Sequence, residues 1–92
     1  MNRREVLDWL DARRPAPPKA LRERLNRAIE DLLPGASAPL PEYLARLGGA
    51  LLERVAAKPE GGRELALDLL AADAFATYAF EAQAEEGSLR EA

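Results

Sequence analysis

The chain has 92 residues, a net charge of −3 at pH 7, and neither cysteine nor histidine. These absences exclude disulfides, zinc sites of the usual kind and catalytic triads that use histidine. The net charge excludes a chain whose whole surface attracts nucleic acid. Apolar residues make up 48% of the sequence, which favours a folded protein over a disordered one. Because Ala and Leu dominate them and β-branched residues are rare, the composition predicts an all-α protein.

Proline clusters divide the chain into four segments, because proline lacks a backbone N–H and clashes with the preceding helical turn. The breaks fall at Pro15–Pro18, at Pro34–Pro41 and at Pro59. We predict helices at about 3–14, 18–33, 41–58 and 63–86, followed by a flexible tail at 87–92. The predicted architecture is a compact, bundle-like single domain of four helices, with the longest, C-terminal helix as its central spine.

The first two helices carry the end signals and apolar spacing of amphipathic helices. Asn2 and Glu5 have the spacing of a capping box at the start of the first helix. The second helix places its apolar residues on one stripe: Leu21, Leu25, Ala28, Ile29 and Leu32. This spacing predicts one buried face and one solvated face for the second helix.

The third helix contains two adjacent glycines in its middle, Gly48 and Gly49. Each costs about 1 kcal/mol of helix stability relative to alanine. They belong to a segment whose core face is predicted to carry Leu44, Leu47, Leu51 and Val55. The sequence leaves two explanations open for the glycines: a kink in the helix, or close packing of a neighbouring helix against them.

Apolar residues surround the fourth helix, whereas a surface helix keeps them on one stripe. Such a helix is buried on most sides, so it either lies in the middle of the domain or also faces a second subunit. We therefore predict a homodimer, or binding to another helical protein. The predicted interface residues are Leu67, Ala71, Phe75, Tyr78, Ala79 and Ala82.

One acid, Asp73, interrupts this apolar helix, and Thr77 follows it one turn later. We predict that both are buried polar residues. A buried carboxylate must be paired, hydrogen-bonded or protonated. Three roles remain open: a structural group that fixes helix packing, an acid on a subunit or pocket surface, and a ligand-binding or catalytic group in the bundle core near Tyr78.

Charge is uneven along the chain, with a net +2 over residues 1–33 and −5 over residues 61–92. We expect the basic part to pack beside the acidic last helix, within one chain or across a dimer. The alternative is nucleic-acid binding by arginines of the first two helices. Its candidates are Arg13, Arg14, Arg22 and Arg27. Interleaved acids such as Glu30 and Asp31 disfavour this alternative, since a phosphate backbone would meet mixed charge.

The sequence offers few groups for catalysis, and no catalytic residue, cofactor or metal is predicted. The acids near the end of the fourth helix, Glu81, Glu85 and Glu86, lack a histidine partner and are interpreted as a solvated end. No apolar run is long enough to cross a membrane, and the predicted location is the cytoplasm. The sequence therefore predicts a small, non-enzymatic interaction or regulatory protein that self-associates through its C-terminal helix.

Overall fold

Four α-helices make up the described part of the chain, which comprises residues 2–32, 38–57 and 62–91 of a computed structural model. They are α1 (Arg3–Asp11), α2 (Lys19–Asp31), α3 (Leu40–Ala57) and α4 (Arg63–Glu91). These residues contain no strand, so the prediction of an all-α, four-helix fold is confirmed. At about 1.5 Å per residue, the 29 residues of α4 span nearly the whole of the 47 Å long axis of the molecule.

The start of α1 agrees with its sequence signals, but its end comes earlier than predicted. The Asn2 side chain accepts a hydrogen bond from the Glu5 backbone N–H at 2.9 Å, which confirms the N-cap. The helix ends at Asp11 rather than at residue 14. The N–H groups of Ala12 and Arg13 bond to carbonyls only three residues back, which tightens and terminates the last turn. Pro15 also disfavours a helical conformation at the residue before it.

The core joins the predicted apolar stripes of all four helices. Leu25, Ala28 and Ile29 of α2 are buried. The other buried apolar residues are Val6, Leu10, Ala38, Tyr43, Leu44, Leu47, Leu51, Ala71, Ala72, Phe75 and Ala82. The predicted ends at residues 33 and 58 lie outside the described residues. As predicted, α4 is the central spine, because it contacts α2 and α3 and also meets α1 through Trp9 and Arg13.

Close packing, one of the two explanations open for the glycines of α3, is what the structure shows. The helix is uninterrupted from Leu40 to Ala57, and Gly48 is buried against α4. A Cβ atom on Gly48 would lie 3.2 Å from the Ala72 carbonyl oxygen and 3.4 Å from the Phe75 Cβ. A side chain at this position would press on the backbone of α4 by a few tenths of an ångström, so glycine favours the close approach of α3 and α4.

The end of α4 differs from the prediction of a helix stop at Gly87. The helix continues to Glu91, and no described glycine has a positive φ. Gly87 therefore lacks the left-handed conformation of a helix-terminating glycine. The backbone predicted to form a tail from residue 87 is helical through residue 91.

Tyr43 is buried in the core with a polar atom that the sequence did not predict there. Its hydroxyl has no hydrogen-bond partner among the described residues. Burial raises the pKa of Tyr43 because it penalises the phenolate, and Arg3 opposes part of this effect. Tyr43 thus adds apolar ring volume to the core at the expense of one desolvated hydroxyl.

We expect Tyr43→Phe to raise the free energy of unfolding by about 1 kcal/mol at neutral pH, because it removes this unpaired hydroxyl. Above about pH 10 the gain should grow. The unfolded wild-type chain then ionises Tyr43 while the folded chain resists ionisation, so wild-type stability falls as pH rises. Urea unfolding of both proteins at neutral and alkaline pH measures this. A variant that is less stable than wild type at neutral pH would show that the hydroxyl is bonded.

Candidate interaction surface

Asp73 and Thr77 lie on the surface of α4, not in the core. Both are exposed, and apart from the Tyr43 hydroxyl the buried side chains of the described residues are apolar. The prediction that they are buried is wrong, because the apolar residues flanking them on the helix are themselves uncovered. Asp73 therefore does not point into the bundle core, where the sequence offered it as part of a ligand site. The ring of Tyr78, the other residue of that site, packs edge-on against Trp9 at 5.7 Å between centroids.

The predicted interface residues occupy the inner side of α4, which faces the other three helices. Ala71, Phe75 and Ala82 are buried within the chain itself, so their assignment to a subunit interface is corrected. Leu67, Tyr78 and Ala79 are partly buried. A side chain already covered by its own helices cannot present a surface to a second molecule.

The opposite side of α4 is exposed and mostly apolar. Helical spacing places eight exposed residues on this side, which we call the outer face: Ala66, Leu69, Leu70, Asp73, Ala76, Thr77, Phe80 and Ala84. Asp73 is the one ionisable group among them. A solvated helix face normally carries most of the charges of its helix. The outer face, with one charge, instead resembles a helix face that is buried against another protein surface.

The large apolar side chains that remain exposed gather on this side of the molecule. Among the described residues they are Phe80 at 79% exposure, Leu70 at 57%, Leu52 at 52% and Leu69 at 44%. Three of the four belong to the outer face. The fourth, Leu52, lies in α3 and lines a groove shared with Phe80. Single exposed leucines are ordinary, but four on one side form a patch typical of an interaction site.

The groove beside the outer face runs between α3 and α4 and has a volume of about 550 Å³. Its walls are Pro41, Glu42, Ala45, Gly48, Gly49 and Leu52 from α3, and Ala72, Ala76, Ala79, Phe80 and Gln83 from α4. The groove is open because the glycines and alanines that let the two helices approach have no large side chains to fill the space above them. Phe80 borders this depression as its largest projecting side chain.

Arg13, the first of the nucleic-acid candidates, is held by the fold. Its guanidinium carbon lies 3.7 Å from the centroid of the Trp9 ring, and its side chain is 18% exposed. Its Nη1 atom is 2.5 Å from the Glu85 carboxylate and 3.7 Å from that of Glu81. This stack and ion pair join α1 to α4. Because Glu85 already pairs with the Arg13 guanidinium, that positive charge is not free to bind a phosphate.

The remaining nucleic-acid candidates do not combine with Arg13 into one basic surface. Arg22 is 2.9 Å from the Asp11 carboxylate and donates a hydrogen bond to the Asn26 side chain at 2.8 Å. Arg14 is exposed and donates to the backbone carbonyls of Asp11 and Arg13. Arg27 is exposed on α2 and borders a separate hollow.

That hollow, of about 620 Å³, lies where α2 meets the end of α3 and the start of α4. Its charged lining is mixed: Arg24, Arg27, Arg54 and Arg63 alternate with Asp31, Glu64 and Asp68. Arg24 forms an ion pair with Asp68, although its Nη1 atom is buried without a partner among the described residues. With Arg13–Glu85, this pair confirms that the basic first part packs on the acidic last helix within one chain.

Comparison of the chain with protein-family models, with curated proteins and with solved structures found no significant match. Among the described residues, none of the helices has the combination of length and apolar character that crossing a membrane requires. The role of the outer face and of the groove beside it is therefore inferred from their exposure, apolar character and shape.

Proposed function

We propose that this protein is a non-enzymatic interaction module that self-associates through the outer face of α4 and the adjoining groove. The observation that carries the proposal is the gathering of Leu52, Leu69, Leu70 and Phe80 on one exposed side. Burying a large apolar side chain is worth about 1.5–3 kcal/mol relative to leaving it exposed. A partner that covers this side would therefore stabilise the protein substantially.

The shape of the surface supports a second copy of the chain as the partner. A two-fold dimer uses the same patch on both subunits, so the patch must be complementary to itself. This one carries both a projecting side chain, Phe80, and a depression lined mainly by alanine and glycine. Two copies facing each other can each place a phenylalanine against the apolar surface of the other.

The extent of the surface also suits a dimer. The outer face, from Ala66 to Ala84, is about 27 Å long, and with the exposed strip of α3 beside it the surface is about two helix diameters, or 20 Å, wide. This corresponds to about 540 Å² per subunit, so two copies would bury about 1,100 Å² in total, just above the roughly 1,000 Å² expected of a biological interface. Helices α1 and α2 do not cover this surface. Their Arg13 and Arg24 form ion pairs with Glu85 and Asp68, which lie on other sides of α4.

The proposal predicts that Phe80→Asp disrupts the dimer without unfolding the chain. Phe80 is almost fully exposed in the single chain, so the substitution removes little intramolecular packing. In the dimer it would remove an anchor and add a charge in each of two symmetric contacts. We expect the dissociation constant to rise by about a hundredfold or more. Light scattering over a dilution series measures the mass, and circular dichroism measures the helix content.

The matched control is Ala20→Asp, which adds the same charge to an exposed position in the first turn of α2. A negative charge is favourable there, and this variant should keep the wild-type mass at every dilution. Equal masses for the wild type, Phe80→Asp and Ala20→Asp proteins would contradict the proposed surface.

A further inference from the structure

Asp73 and Thr77 lie one helical turn apart near the middle of the outer face, and together they define how two copies can meet. Neither side chain forms a hydrogen bond with another residue in the described part of the chain. The carboxylate accepts hydrogen bonds and the hydroxyl donates one. A partner that covered the face without a donor would desolvate an unpaired charge, which is costly.

We infer that, in the dimer proposed above, on which this inference rests, the two α4 helices are antiparallel and Thr77 of each copy donates a hydrogen bond to Asp73 of the other. A two-fold axis parallel to α4 would place Asp73 opposite Asp73, where the carboxylates repel. An axis perpendicular to α4 pairs each residue with a different one. Among these arrangements, the register that places Asp73 opposite Thr77 supplies a donor to both carboxylates.

The same register brings the exposed apolar side chains together. Counting outward from the Asp73–Thr77 pair places Leu70 at the same level along the helix axis as Phe80 of the second copy, on the other flank, and places Ala66 directly opposite Ala84. Since Ala66 and Ala84 are small, the helices can approach closely where they face each other.

The fourth large exposed side chain, Leu52 of α3, lies at the same position along the axis of α4 as Leu69 and Leu70. Gly48 lies against Ala72 and Ala76, and Leu52 is one turn further along α3. Because α3 and α4 are antiparallel, a residue one turn further along α3 lies one turn earlier along α4, near Leu69 and Leu70. Phe80 and Leu69 lie on the flank of the outer face beside α3, so Phe80 of the second copy meets Leu52 and Leu69, and the dimer contains two such clusters.

Charge complementarity at the helix ends supports the antiparallel arrangement. Arg63 and Glu81 are five full turns apart on α4 and therefore lie on the same flank of the outer face. A perpendicular two-fold axis brings equal flanks together at opposite ends. Arg63 of one copy then lies on the same flank as Glu81 of the other, about 9 Å from it along the helix axis, so each end of the interface brings a cation and an acid to one flank.

Disulfide cross-linking of introduced cysteines tests the register. Because the chain has no cysteine of its own, any disulfide must join the introduced residues. Two single variants, Ala66→Cys and Ala84→Cys, are oxidised separately and after mixing under conditions that allow subunits to exchange. Within the inferred dimer, Ala66 of one copy faces Ala84 of the other, whereas each residue lies about 27 Å from its own equivalent. A disulfide requires Cα atoms within about 7 Å. The mixture should therefore form a covalent dimer, and neither variant should do so alone.

The outcomes separate the register from self-association itself. A covalent dimer formed by one variant alone would bring equivalent residues together, as parallel helices or another register would, and would overturn the inference. No disulfide in the mixture, with the mass still that of two chains, would overturn the register and leave the dimer in place. A mass of one chain for both variants and for the wild type would contradict the proposed function and this inference together.

The hydrogen bond has its own matched pair of variants. Thr77→Val keeps the shape of the side chain but removes the donor, and it should raise the dissociation constant by tenfold or more, because the carboxylate of Asp73 is left unpaired in both contacts. Thr77→Ser keeps the hydroxyl and should stay within about threefold of wild type. Sedimentation equilibrium measures all three constants. Equal constants for Thr77→Val and wild type would overturn the inferred bond.

Discussion

Phe75→Ala should lower the free energy of unfolding by about 3–5 kcal/mol, which is a large share of the stability of a small domain. Phe75 is completely buried between α4 and the other helices, and its Cβ lies close to Gly48. The substitution would leave a cavity at the closest approach of α3 and α4, where the backbones cannot easily collapse into it. Urea unfolding followed by circular dichroism measures the loss.

The control for this prediction is Phe80→Ala on the same helix. Phe80 is five residues away but belongs to the outer face, so in the isolated chain its removal should change stability by less than about 1 kcal/mol. Both variants are compared at concentrations low enough to keep the chains monomeric. Equal losses for the two phenylalanines would mean that the inner and outer sides of α4 have been assigned incorrectly.

The second large effect is expected at Gly48. We expect Gly48→Val to destabilise the protein by about 2–3 kcal/mol, because its Cβ would lie 3.2 Å from a backbone oxygen of α4. The added methyl groups extend further toward α4, so the two helices would have to separate. Thermal unfolding compared with wild type measures the effect.

The neighbouring glycine gives a matched control in the same helix. A Cβ added at Gly49 meets no atom within 4 Å. Gly49→Val should therefore be neutral or slightly stabilising in the monomer, since valine has a better helix propensity than glycine. A Gly48→Val protein as stable as the Gly49→Val protein would show that α3 and α4 are not in backbone contact at this point.

Much of the fold could be predicted because its signals are local. The cap at Asn2, the apolar stripe of α2 and the proline breaks each specify an element without reference to the rest of the chain. The end of α1 and the continuation of α4 through Gly87 were not predicted. Helix ends depend on small differences in backbone free energy, which a single residue type does not determine.

The inner side of α4 was harder to predict, because charge and burial follow an unusual pattern on this helix. A charged residue normally marks the solvent side of a helix. Here Asp68 and Glu85 lie toward the neighbouring helices, because they pair with Arg24 and Arg13. Asp73, the one acid of the outer face, was predicted to be buried because the apolar residues Leu69, Leu70 and Phe80 flank it on the helix. The opposite net charges of the first and last segments were the signal that the acids of α4 point inward.

The proposed function depends most on the association of two chains through the outer face of α4. Sedimentation equilibrium of the unmodified protein at micromolar concentrations tests it most directly, because it gives the mass without labels or substitutions. We predict a mass about twice that of the 10.1 kDa chain, falling toward 10.1 kDa on dilution. A mass of 10.1 kDa at all of these concentrations would contradict the account.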